Sequence, residues 1–378
     1  MNSTSSIPLK SERKQRDSNI ELLRIVSMMM IVVHHFVAHG VMNYTDSSRC
    51  FKVWEQGSAI NRFLSCLAFP GGEVGVGIFF IITGYFYIKR DKADFSKIII
   101  ETSFYSILLS ALSLILYFAN LGGVVTKDIS MSLKTAILPV SSGIYWFVTT
   151  YIFLLILTPL INPIINKANI KGHIALIIFL YFFWFVLGAF GSPYFNLQKG
   201  LLFYAIGAFL RIHDFKKAKK TGLAVIPAFI VFWGLETFIA YKMAQNGIAE
   251  PERFNEKMFF YFKTCESALS PFCSLLFFMF FLNMDLGSSK PINTIAATVF
   301  GVYLLHDSVL LRKLIWHKIF LIDTKLYFSA LFPLYLLMIP FIVFCACSLI
   351  DYMRIVFISP IINHYYDMCS QKMKQWFF

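Results

Sequence analysis

Apolar runs of about twenty residues recur along this chain, and that recurrence dictates what it can fold into. A helix rising 1.5 Å per residue crosses the hydrocarbon of a bilayer in about that length. The runs lie at 20–41, 66–88, 98–119, 144–164, 173–190, 198–212, 221–241, 264–283, 293–311 and 326–352. Inside lipid every backbone N–H and C=O must find its partner within the protein, which selects helices for runs this long. Composition agrees: 57% of residues are hydrophobic and 15% charged, whereas a soluble domain carries about 25% charged residues. The expectation is an all-α polytopic bundle of ten transmembrane helices, with residues 1–19 a basic cytoplasmic tail, 20–352 the membrane domain and 353–378 a second cytoplasmic tail. No internal repeat recurs at a fixed period, which excludes solenoids and propellers.

The net charge of +13 is read as membrane topology. The polar, basic segment MNSTSSIPLKSERKQRDSN precedes the first run and predicts a cytoplasmic N-terminus with a retained first span. The densest basic clusters, KRDKADFSK and RIHDFKKAKK, then fall on the same side, beside anionic lipid. Nothing in this pattern points to nucleic acid. Seven cysteines carry no CxxC or CxxH spacing, so no zinc site or other metal site is expected. Cys50 and Cys66 flank the first predicted outer loop, where a disulfide is open, with two free thiols the favoured reading.

Polar residues within the apolar runs narrow the function. Arg24 and His35 both lie in the first run, eleven positions apart. At about 100° per residue they return to within about 20° of one another and share a helix face. Glu21 and His39 fall near the same stripe, while His34 points away and reads as a structural histidine. A charged or titratable side chain at mid-membrane costs about 2.5–3.5 kcal/mol on insertion scales, so such a stripe is expected to line a cavity. His306, in GVYLLHDS, comes out at nearly the same depth as His35 and makes with it a candidate catalytic pair. Imidazole suits proton acceptance and return near neutral pH. Glu21 is placed to pair with Arg24 at i,i+3.

Arg24 and the basic group Lys89, Arg90, Lys92 and Lys97, with Arg211 and the Lys216 to Lys220 cluster, crowd the predicted inner mouth and suit a phosphorylated cytosolic donor. For the lysines, the positive-inside bias alone is sufficient. In the second run Pro70, Gly71, Gly72, Gly75, Gly77 and Gly84 surround Glu73. Close helix packing through small residues and a broken or re-entrant segment both fit that pattern. Tyr145 and Trp146, opening the fourth run in IYWFVTTY, fit an aromatic belt and also a glycan-facing platform.

Four segments together resemble the acyltransferase-3 family of bacterial integral-membrane O-acyltransferases: ELLRIVSMMMIVVHH, GVGIFFIITGYFYIKR, GIYWFVTTYIFLLILTPLIN and GVYLLH, in that order. The closest likeness is to single-module members that O-acetylate surface glycans. The resemblance implies acetyl-coenzyme A as a cytosolic donor substrate, no permanently bound cofactor, and a carbohydrate hydroxyl as acceptor. It implies catalytic roles for His35 and His306, donor binding by Arg24, Arg90 and the adjacent Lys89, and acceptor binding by Tyr145, Trp146 and Tyr151. It also implies a multi-pass protein of the bacterial inner membrane. Two departures stand out: Gly77 where an acid is often found, and Thr83 for the commoner Ser. The alternative function is a proton-coupled transporter or exporter of glycan or lipid, with His35, His306 and Glu73 as its proton relay. Repeated halves, which many transporters show, are not visible in the sequence.

Overall fold

The computed structural model describes residues 17–42, 47–90, 94–189, 195–215, 219–249 and 266–362. Most of the basic N-terminal tail, the C-terminal 363–378, Lys92, and the side chains of Cys50 and of the Lys216 to Lys220 cluster lie outside this description.

The described chain is helical, with no strand among the described residues. In order it forms α1 (Ser18–His35) running into a π-helical turn (Phe36–Val41), α2 (Ser47–Gln56), α3 (Ala59–Ala68), α4 (Gly71–Tyr87), α5 (Ser96–Phe118), α6 (Thr126–Ile137), α7 (Trp146–Lys167), α8 (Ile170–Ala189), α9 (Phe195–Ile212), α10 (Lys219–Ala249) and α11 (Glu266–Leu282). Three short pieces follow, α12 (Lys290–Ala296), α13 (Val299–His306) and α14 (Val309–Lys313), and then the long α15 (Phe332–Met353), whose helical path continues to Ile362.

Six of these helical segments are long and apolar enough to cross a membrane, and seven if the bent pair Lys290–His306 and Val309–Ile319 is one span. Among the described residues, the expected count of ten is therefore not confirmed. The described apolar stretches of α8 and α11 are Ile170–Val186 and Ala268–Leu282, and α9 is not among the six. The last helix runs on past 352, to Ile362.

Helix α4, with α3 leading into it, is the most enclosed of the spans. Lipid tails are as apolar as leucine, so helices in a membrane associate through close packing and interhelical hydrogen bonds. Both are present here. A Cβ at Gly75 would sit 2.6 Å from the carbonyl oxygen of Ser27 on α1, and one at Gly84 would overlap the carbonyl oxygen of Tyr204 on α9. Gly207 approaches α4 in the same way, against the carbonyl of Ile81. The glycines of the second run thus serve close packing of a continuous helix, which decides between the two readings of that segment. Asparagine side chains then tie helices to exposed carbonyls: Asn19 donates to Phe281 O at 3.0 Å, and Asn162 to Tyr87 O at 2.9 Å.

These contacts also fix the levels of the helices. Gly72 packs on His34 and Gly75 on Ser27, so α4 runs antiparallel to α1. Asn162 meets Tyr87 and Asn166 meets Ile88, while Trp146 and Glu73 share Lys199, so α7 runs parallel to α4, and its first residue, Trp146, lies level with the start of α4. Pairs Glu73 with Lys199 and Tyr85 with Arg211 show α9 parallel to α4. One end of the bundle interior therefore holds Arg24, Tyr87 and the start of α5. The other holds His34, His35, Glu73 and Trp146.

Candidate active site

A cavity of about 770 Å³ joins those two ends. Its wall on α1 is formed by Arg24, Met28, Ile31, His34, His35, Ala38 and His39, at the spacing of one helix face. The polar stripe legible in the first run faces this cavity. Glu21 lies behind it, its carboxylate 4.0 Å from the Arg24 guanidinium. Lys97 and Glu101 of α5 line the cavity as well. Arg354 binds Glu101 at 2.7 Å, so the acid is already matched, and Arg24 and Lys97 supply the positive charge facing the space.

His35 and His306 touch. His35 Nδ1 lies 2.9 Å from His306 Nε2, and His306 Nδ1 lies 2.6 Å from the carbonyl oxygen of Val302, one turn back on α13. A carbonyl only accepts, so His306 Nδ1 carries a proton and donates it. In the neutral ring Nε2 must then be the acceptor, and His35 Nδ1 its donor. The lone pair of His35 consequently resides on Nε2, which makes no hydrogen bond among the described residues. One backbone carbonyl thus sets the tautomer of two rings and leaves a proton acceptor on a residue of the cavity wall.

Asp307 completes the cluster. Its Oδ1 accepts from Arg312 Nη2 at 2.7 Å, lies 3.4 Å from His39 Nε2 and 3.7 Å from His35 Nδ1. The local fold makes this arrangement. The helix breaks at Asp307 and Ser308 with a 73° bend, and Ser308 caps α14 by accepting from the Leu311 N–H at 3.2 Å. The break lets Asp307 leave the helix axis beside His306. On α1, the π-turn after His35 brings the His39 ring to 4.8 Å from that of His35; π-turns recur at functional sites.

Residues 17–352 match the family model described as an acyltransferase domain. The chain belongs to the acyltransferase-3 family. No curated protein and no solved structure matches it. It is thus a membrane acyltransferase, and its cavity can be read for that chemistry.

Of the residues that the acyltransferase-3 resemblance singled out, Arg24, His35, Trp146 and Tyr151 line the cavity, and His306 stands directly behind His35. Tyr145 does not line it: it is buried, and its hydroxyl donates to Leu304 O at 3.0 Å, bracing α13. Lys89 and Arg90 are exposed and stand outside the cavity wall, because α4 ends at Tyr87 and the Arg90 guanidinium folds back over the Tyr87 ring at 4.3 Å. His34 donates through Nδ1 to Phe69 O at 2.6 Å, the structural role its position suggested, although its ring also borders the cavity. Position 77 faces Ser274 and Phe203, away from the cavity, so its glycine leaves the site intact. Thr83, the second departure, lines the cavity and donates to Phe79 O at 2.8 Å.

Asp307, Arg312 and Lys199 were not singled out. Asp307 follows His306 directly in the sequence, and an acid next to a buried histidine was the available signal. Lys199, a lysine inside an apolar run, was another. Cys66 is a free, buried thiol.

His35, His39 and Asp307 also place ligand atoms within 4.8 Å of one another, a spacing a metal ion could use. The Arg312 guanidinium already occupies the shared Asp307 oxygen, and a cation there would have to displace it. The donor set is better suited to holding and moving a proton.

Proposed function

We propose that the protein is an O-acetyltransferase that moves the acetyl group of cytosolic acetyl-coenzyme A to a hydroxyl of a cell-surface or lipid-linked carbohydrate, at the bacterial inner membrane, with both termini in the cytoplasm. The observation that carries this reading is the hydrogen-bonded line Val302 carbonyl, His306, His35, set beside the aromatic end of a cavity whose other end is basic.

In this scheme the coenzyme A phosphates lie against Arg24 and Lys97, with Lys89 and Arg90 meeting the nucleotide end from the surface. The pantetheine arm runs along α1 toward His35, about 16 Å away at 1.5 Å per residue. The acceptor enters at the Trp146 end. His35 Nε2 takes the proton of the acceptor hydroxyl as its oxygen attacks the thioester carbonyl. The new C–O bond forms, the C–S bond breaks, and the coenzyme A thiolate leaves with the proton held on His35. Asp307, 3.7 Å from His35, offsets the positive charge that appears on the imidazole during this transfer. Arg24 Nε, an orphan donor at the basic end, is available to phosphate.

The transporter reading needs Glu73 in series with the two histidines. Among the described residues Glu73 is hydrogen-bonded to Lys199, and to neither histidine. Transfer of label from acetyl-coenzyme A carrying a radioactive acetyl group to carbohydrate in purified membranes tests the proposal. His35→Ala is expected to lower that transfer by about 10²–10⁴-fold without loss of protein, because base catalysis contributes about that much. His34→Ala is expected to cost far less. Wild-type membranes that leave all label in the donor would refute the proposed reaction.

A further inference from the structure

Glu73 is unused in the scheme above, yet it lines the same cavity, at the level of His34 and His35. Its two carboxylate oxygens each lie 2.9 Å from Lys199 Nζ. Lys199 is almost sealed, its side chain 3% exposed against 13% for Glu73. Its ammonium also sits 4.4 Å from the centre of the Trp146 ring, and Trp146 lines the cavity beside Glu73. Three helices, α4, α7 and α9, thus converge on one lysine that holds a carboxylate and an indole side by side.

A purely structural ion pair explains this poorly. Two apolar residues of similar volume would usually pack a membrane interior at least as well as a desolvated pair. The asymmetry is informative: the cation is sealed behind the wall and the anion forms part of it. A carboxylate offers about four acceptor directions, and one ammonium leaves several of them for donors arriving from the cavity. A planar aromatic ring beside a hydroxyl-accepting carboxylate is the combination that recognises a sugar, through its apolar C–H face and its hydroxyl edge.

We propose that Glu73, fixed by Lys199 and set beside Trp146, positions the acceptor's hydroxyls opposite His35. The ligand class is a pyranoside with adjacent free hydroxyls. Glu73 acts here as a positioning residue that selects the acceptor and takes no part in proton transfer from the reacting oxygen. This inference rests on the carbohydrate-acceptor reading above.

The test uses the purified full-length protein in proteoliposomes, acetyl-coenzyme A carrying radioactive acetyl as donor, and octyl glycosides of glucose, galactose and N-acetylglucosamine as acceptor probes. For the best acceptor, Glu73→Gln is expected to raise KM by about tenfold or more, with the KM for acetyl-coenzyme A unchanged within about twofold, as loss of a charged hydrogen bond to one substrate requires. Glu73→Asp keeps a charge for Lys199 but withdraws it from the cavity. It therefore preserves the fold and is expected to give the same one-sided rise if Glu73→Gln does not assemble. An unchanged acceptor KM in the Asp variant, or equal changes in both KM values, would overturn the assignment of Glu73. A wild-type protein that acetylates none of the glycosides would overturn the carbohydrate reading itself, and this inference with it.

Discussion

At the scale of single residues, the site is built around a few polar groups that the membrane makes costly. Arg24, His35 and His306 were legible because each interrupts an apolar run, where such a residue demands a partner or a cavity. What the sequence could not reveal is who touches whom. His35 and His306 are separated by 271 positions, and their 2.9 Å contact depends on how α1 and α13 pack. Asp307 was hidden for another reason: beside a histidine at a span end, an acid reads as a surface residue until the helix break folds it inward. Lys89 and Arg90 failed to reach the cavity because charge clusters report the membrane face and say nothing of a side chain's direction. Asp307 is shared by His35, His39 and Arg312, and in the proposed scheme it is a positioning residue. Asp307→Asn is expected to lower kcat by about 10-fold to 10³-fold, since a charge complementing a transient imidazolium is worth a few kcal/mol in a site closed to water, with the donor KM little changed. A kcat equal to wild type would reduce Asp307 to an anchor for Arg312.

At the scale of elements, the ends and breaks of helices place the chemistry. The ninth run reads as continuous because 295–305 is apolar apart from Thr298, and hydropathy cannot register a bend. The break was still encoded locally, in the Asp307 and Ser308 pair, where a serine N-cap starts a new helix. The second run posed the opposite problem. Its glycines read equally as a break or as close packing, and only the positions of Ser27 and Tyr204 settle which. That result predicts a contrast within one protein. Gly84→Ala drives a methyl group into the Tyr204 carbonyl and is expected to cost about 1–3 kcal/mol as overpacking, read as a lower midpoint of thermal unfolding in detergent. Gly234→Ala, in α10 with open space around its Cβ position, is expected to be neutral or to stabilise by up to about 1 kcal/mol through helix propensity. Equal destabilisation at both positions would mean that α4 and α9 do not approach as closely as described.

At the scale of the whole molecule, the fold class followed from composition and run length, since only helices satisfy their own backbone over such segments. The number of crossings did not follow. Among the described residues, apolar stretches in α8 and α11 cover only Ile170–Val186 and Ala268–Leu282, and α9 is not among the long apolar helices. The levels of the helices nevertheless give the cavity two distinct ends, one with Arg24 and Lys97, the other with His35, Glu73 and Trp146. The most direct measurement of that arrangement uses sealed proteoliposomes in which a cysteine at the exposed Asp94, reached by a membrane-impermeant thiol reagent, reports the orientation. Acetyl-coenzyme A is supplied to one side and a membrane-impermeant glycoside to the other. Product is expected only when acetyl-coenzyme A is on the side from which position 94 is labelled and the glycoside is on the opposite side. Product formed only when both substrates share a side would contradict transfer through the bundle.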